Sequence, residues 1–191
     1  MKIDMLYVTA LDVNGDLVKA YDALKGTKYF CPICKNELVL KKSGNSGKGS
    51  RRPHFAHHAV SPNCTPEGVL HYSFKILALE RLKYHIINCI PFVIEWTCGK
   101  CKKTENANIT AGAVNVISEI ILKDEQYLCR PDLSLINNAN KAYAIIEIVV
   151  THEPEEKVIN FCNKHGIALI QVNLTTEDDL DDIDKRHFLI Q

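Results

Sequence analysis

The stretch RPDLSLINNANKAYAIIEIVVTH, residues 130–152, decides how this chain folds. Two apolar runs flank the polar segment Asn137–Lys141, and each run carries one carboxylate, Asp132 and Glu147. A lone acid is costly to bury, so two acids in otherwise apolar strands need a reason. If Asn137–Lys141 is the turn of an antiparallel hairpin, the midpoint between 132 and 147 falls beside Ala139. Residues equidistant from a turn face each other with Cβ atoms about 5 Å apart, which predicts Asp132 and Glu147 as cross-strand neighbours. Like charges so placed repel unless a proton or cation lies between them. Two converging carboxylates form a hard-oxygen site suited to Mg²⁺ or Mn²⁺.

Residues around the pair support that reading. Ile145, Ile146, Ile148, Val149 and Val150 bracket Glu147, the pattern of a strand buried on both faces. Upstream, EGVLHYSFKILALERLKYHIIN (Glu67–Asn88) is predicted to be a long helix opened by Pro66. Glu67, His71 and Lys75 share one stripe of it, and its His and Lys are candidates to bind phosphate or position water. His152, Lys157 and a third carboxylate, Glu119, complete the candidate catalytic set.

Working outward, MLYVTALDVNGDLVKAYDA alternates about Asn14-Gly15 and predicts a hairpin. KNELVLKK, IPFVIEW, AVNVISEIIL and IALIQVNL are predicted strands, and PEEKVINFCNKHG a helix stopped by Gly166. The acidic tail from Thr175 is expected to form a short terminal helix. The order of elements gives a mixed α/β (α+β) protein. We expect an N-terminal module over residues 1–66 and a second domain over 67–191, with a Cys-x-x-Cys insertion near 97–104.

The chain has 191 residues, 46% of them hydrophobic, and a formal net charge of zero. No segment is long and apolar enough to span a bilayer and no signal-peptide layout opens the chain, so a cytoplasmic protein without membrane contact is expected. Charge is unevenly spread, with nine Lys or Arg against two acids from Lys19 to His58. Such a basic front half suits a phosphate-backbone partner. The Gly/Ser stretch SGNSGKGS lacks both the spacing and the strand–helix frame of a nucleotide loop.

Eight cysteines without a secretion signal argue against a disulfide framework. Cys31-x-x-Cys34 and His54-x-x-His57 have the bite of a structural zinc site, with His58 or Cys64 as alternates. Cys98 and Cys101 are half of a second zinc site or partners of the first pair. Cys89, Cys129 and Cys162 lie in apolar surroundings and are expected to be core thiols. A redox role for CPIC is disfavoured, because a strand and not a helix follows it.

The ordered set CPIC, HFAHH, H-x-x-x-K on a long helix, RPD, and IEIVVTH-x-x-x-x-K resembles the CoiA-like competence family, within the PD-(D/E)XK restriction-endonuclease-like superfamily. The resemblance implies an α-β-β-β-α-β nuclease core, a Mg²⁺-dependent endonuclease or exonuclease activity, and DNA as partner, with a homodimer left open. By position it gives Asp132 and Glu147 the metal-binding roles and places Glu67, His71 and Lys75 in the first-helix motif. The lysine expected two residues after the glutamate is Val149. Either Lys157, His152 or Lys75 takes its role, or the chain is a catalytically degenerate, zinc-containing nucleic-acid-binding protein. A pure interaction module in a phage-defence or DNA-uptake assembly is the third reading.

Overall fold

The computed structural model describes residues 6–42, 52–59, 64–98, 102–181, 183 and 187–190. The architecture is mixed α+β and mostly strand. It divides into two compact units, Met1–Ser73 and Phe74–Gln191.

In the first unit, β1 (Thr9–Leu11) and β2 (Leu17–Lys19) form the hairpin predicted about Asn14-Gly15. The Asp12 carboxylate takes the backbone N–H groups of Asn14 and Asp16, and Gly15 adopts a positive φ of 87° that a side chain would resist. β3 (Tyr29–Phe30), β4 (Glu37–Lys41) and β5 (His54–His57) follow, giving the sheet order β2-β1-β3-β4-β5. On its other side β5 bridges Tyr7, whose carbonyl accepts the Phe55 N–H at 2.7 Å, so the small sheet curls back on itself. Alternation along β4 and β5 turns Leu38, Leu40, Phe55 and His57 inward onto Ala10, Tyr29, Cys31 and Val69. Burying each large apolar side chain contributes about 1.5–3 kcal/mol. Thr9 and Ser73, both fully buried, satisfy each other through hydroxyls 2.6 Å apart.

α1 (Pro66–Ile87) begins in the first unit and ends in the second. The Thr65 hydroxyl accepts the Gly68 N–H at its start. Cys89, in a left-handed conformation (φ 53°), ends it. That position leaves Cys89 exposed, contrary to the core role expected of it.

The second unit is built on a seven-stranded sheet of order β7-β6-β14-β13-β12-β11-β8. Its members are β6 (Val93–Cys98), β7 (Thr104–Asn108), β8 (Ala113–Ser118), β11 (Leu133–Asn137), β12 (Ala142–Val149), β13 (Ala168–Asn173) and β14 (His187–Ile190), with a separate ribbon of β9 (Leu122–Lys123) and β10 (Leu128–Cys129). β11 and β12 form the predicted hairpin. The Asn137 side chain caps its turn by accepting the N–H groups of Ala139 and Lys141.

β12 and β13 pair in parallel, joined through α2 (Glu156–His165). Gly166, at φ 63°, closes α2 as predicted by donating its N–H to the Cys162 carbonyl. Val158, Phe161 and Cys162 of α2 pack on Ile145, Leu169 and Cys129. Ile146 and Val172 point the other way and meet Phe74, Ala78 and Leu82 of α1. A strand covered on both faces must be apolar at consecutive positions, and that accounts for the run AIIEIVV.

The acidic tail differs from expectation. It forms one 3-10 turn over Glu177–Leu180, where the Asp179 carboxylate takes the N–H groups of Thr175 and Thr176. The run HFLI then becomes β14, filling the place between β13 and β6. A strand so inserted satisfies backbone groups on both sides that a terminal helix would have left unpaired.

Candidate functional site

In the first unit Cys31 and Cys34 lie on a tight turn after β3. Lys35 takes a left-handed conformation (φ 61°), its N–H reaches the Cys31 carbonyl, and the Ile33 N–H points at the Cys31 sulfur at 3.4 Å. Both sulfurs thereby face inward. His57, at the end of β5, brings Nε2 to 3.3 Å from the Cys34 sulfur, and Cys64, just before α1, lies 3.0 Å from the Cys31 sulfur. These sulfurs are too far apart to be bonded. The four ligand atoms of Cys31, Cys34, His57 and Cys64 lie within 4.8 Å of one another. Three thiols and one imidazole converging this closely match the ligand set of a closed structural zinc site. Tyr7 braces the cluster, stacking edge-on against His57 at 5.0 Å and donating its hydroxyl to the Cys64 carbonyl.

The electrostatics suit a cation. Burial works against ionising Cys34, but the Asn36 N–H, His57 and the neighbouring thiols outweigh it and draw the thiol down to about 6. Burial and the neighbouring sulfurs push Cys64 up to about 12. A bound divalent ion would relieve that conflict by stabilising every thiolate together.

The fourth member of the cluster is Cys64, one of the two alternates to the expected His54. His54 and His57 stand three residues apart on a strand, so they point to opposite faces. His54 lies 3.0 Å from the Arg52 carbonyl through Nδ1, and His58 is exposed beyond the strand. Cys101 and the side chain of Cys98 lie outside the described residues, as do Lys48 and Arg51. Glu67 and His71 belong to the first unit, in the opening turns of α1.

In the second unit the ladder of β11 and β12 pairs Leu133 with Ile146. Asp132, just before β11, lies beside Glu147, whose carboxyl takes the Asp132 N–H. Asp132 accepts the Ile148 N–H through Oδ2 at 3.0 Å, which fixes its carboxylate across the strand. Glu147 is half-buried, and its Oε1 is buried without a hydrogen-bond partner among the described residues. Burial first, and then the Asp132 charge, push its carboxyl up to about 7, against a smaller pull from the Asp132 N–H.

Lys75, on α1, is the buried cation beside this pair. Its Nζ lies 2.5 Å from Glu119 Oε1 and 3.5 Å from Asp132 Oδ1. Glu119 stands at the end of β8 in a left-handed conformation (φ 52°), a strained backbone for a non-glycine residue. Its N–H is held by the Asp132 carbonyl, and Arg130 flanks its other oxygen at 3.7 Å. The hydrogen bond and charge of Lys75 hold its carboxyl below the usual range.

Asp132, Glu147, Glu119 and Lys75 are thus gathered in one place. Lys157 is exposed and pairs with Glu155 at 2.5 Å, and His152 is exposed. Val149 is buried in the sheet opposite Asn173.

One neighbour escaped the sequence reading. Gln171 sits beside Glu147 in the parallel ladder, almost fully buried, and its amide donates to Glu153 at 2.8 Å. The signal was a lone amide inside the apolar run IALIQVNL.

The two units therefore define a small β domain with a Cys₃His cluster that could hold zinc, and an α+β domain whose sheet carries a buried acidic cluster. Residues 16–66 match the family model described as the N-terminal domain of competence protein CoiA, a span that includes Cys31, Cys34, His57 and Cys64. The match supports a CoiA-like competence protein family. No curated protein and no solved structure matches the chain. No helix among the described residues is long and apolar enough to cross a membrane.

Proposed function

We propose that this chain is a metal-dependent nuclease of the PD-(D/E)XK kind that hydrolyses phosphodiester bonds in DNA, carrying a zinc-stabilised N-terminal unit. The observation that carries the reading is the buried Glu147 Oε1, without a hydrogen-bond partner among the described residues, on a carboxyl close enough to Asp132 to feel its charge. A half-buried acid with an unused, buried oxygen beside a second acid fits a hard divalent cation, Mg²⁺ or Mn²⁺. Asp132 and Glu147 would hold it. When bound, such an ion lowers the pKa of a coordinated water and offsets charge on the phosphoryl oxygens.

The chain's own residues supply the rest. The Ile148 N–H fixes the Asp132 carboxylate, so little reorganisation is needed on binding. Lys75 offers the ammonium that Val149 cannot, and Glu119 holds it in place. In this reading Lys75 orients the attacking water or balances charge at the phosphate, and Lys157 and His152 stay outside the reaction.

Asp132→Ala should abolish Mg²⁺- or Mn²⁺-dependent DNA cleavage with the fold and zinc content unchanged. Cleavage that survives in that variant ends the assignment. The second reading, a zinc-containing nucleic-acid binder with a decayed site, rests on Val149. It expects salt-sensitive DNA binding and no cleavage with either ion.

A further inference from the structure

The face of the first unit that points away from the Cys₃His cluster carries an open groove of about 900 Å³. Strand alternation creates it. Leu38, Leu40, Phe55 and His57 turn inward, so Val39 and Ala56 pair on the outer face, and Lys41 pairs there with His54. Val39, with its strand neighbours Leu38 and Leu40, lines the groove's floor. Lys25, Lys41, His54 and His58 line it.

The charge balance is one-sided. The acid among the described lining residues is Glu37, and Lys28 already answers it at 3.7 Å. Lys42 is committed to the Tyr21 and Ala23 carbonyls and ties the 21–23 segment to the end of β4. Lys25 and Lys41 are exposed and make no ion pair among the described residues. Two unpaired ammonium groups and two imidazoles above an apolar floor complement a chain of phosphates in charge and in shape.

We infer that this groove binds the sugar–phosphate backbone of a nucleic-acid strand and so serves as a docking site separate from the acidic cluster. The inference rests on the nucleic-acid reading above but not on cleavage. Backbone contacts of this kind position a strand without reading its sequence. The expected binding is therefore indifferent to sequence and steeply dependent on salt.

The test uses the full chain as Asp132→Ala, so that substrate survives, with a short fluorescent DNA strand and its duplex titrated at several salt concentrations. Lys25→Glu/Lys41→Glu should weaken binding about tenfold or more and flatten the salt slope by about 1.5, near 0.7–0.9 per lost phosphate contact. Lys103→Glu/Lys141→Glu, at exposed positions of the second unit, should leave both unchanged. Zinc content and melting temperature, read alongside, verify that the groove variant is folded. Equal losses in both pairs, or in neither, overturn the inference, as does an absence of DNA binding in the parent. Cleavage by the chain with native Asp132 is followed in parallel. Groove-dependent binding without cleavage ends the nuclease reading and leaves the groove standing. Cleavage with binding indifferent to Lys25 and Lys41 does the reverse.

Discussion

Lys75 and Glu119 lie 44 positions apart in the chain, yet their charged atoms meet at 2.5 Å beside Asp132. A buried ammonium costs free energy unless it is paired, so this contact is built for a purpose or is one the fold must bear. The strained backbone of Glu119 argues for the first, because strain persists only where surrounding structure enforces it.

Lys75→Met should therefore slow cleavage by about 100-fold or more, the size of effect usual for losing a positioned charge. Lys157→Ala should stay within about tenfold of the parent, since its ammonium is occupied by Glu155. Single-turnover cleavage rates of the two variants decide the matter, and the reverse order would place the missing lysine on α2.

Glu147 predicts a pH dependence of stability in the metal-free second unit. Its carboxyl is raised from 4.5 to about 7, so folding takes up a proton there. The cost of ionising it is absent below the unfolded pKa and fully present above about 7. Glu147→Gln should thus stabilise the Mg²⁺-free protein at about pH 8 by roughly 1–3 kcal/mol and change little at about pH 4. Thermal melts with Mg²⁺ left out show this as a higher midpoint confined to the alkaline side. A lower midpoint at about pH 8 would refute the buried-charge account.

Cys64→Ser should strip bound zinc and lower the melting temperature, whereas His54→Ala should keep both near the parent values. Losing a structural metal removes binding energy that is also folding energy. Zinc determination on the purified variants distinguishes Cys64 from His54 as the fourth ligand.

Ile145, fully buried between β12 and α2, predicts a packing cost. Ile145→Ala should destabilise the protein by about 2–5 kcal/mol, through lost transfer energy plus the cavity left behind. Denaturant unfolding measures it, and a cost under about 1 kcal/mol would mean that α2 does not press on this strand.

Features governed by local rules were legible in the sequence. The hairpin about Asn137–Lys141 follows from period-two alternation and an asparagine that caps its own turn, so the nearness of Asp132 and Glu147 could be read in advance. His54 misled because an H-x-x-H pair converges on a turn or helix but diverges on a strand. KNELVLKK, read as a strand, pairs with this segment and holds it extended. Cys64 was harder to place, because its approach to Cys31 depends on how the chain returns to α1. The Lys75–Glu119 contact depends on a single left-handed residue at the end of β8, which no pattern announces. The run HFLI looked like a helix terminus because its partners, β13 and β6, are remote in the chain.

Strand β5 has four residues and two faces, with Phe55 and His57 turned toward the cysteines and His54 and Ala56 turned away. Point changes on one face leave the other in place. A single-residue insertion or deletion within it would invert the strand, sending His57 outward and withdrawing a ligand while Lys41 lost its partner across the ladder. The segment can therefore drift in identity far more readily than in length.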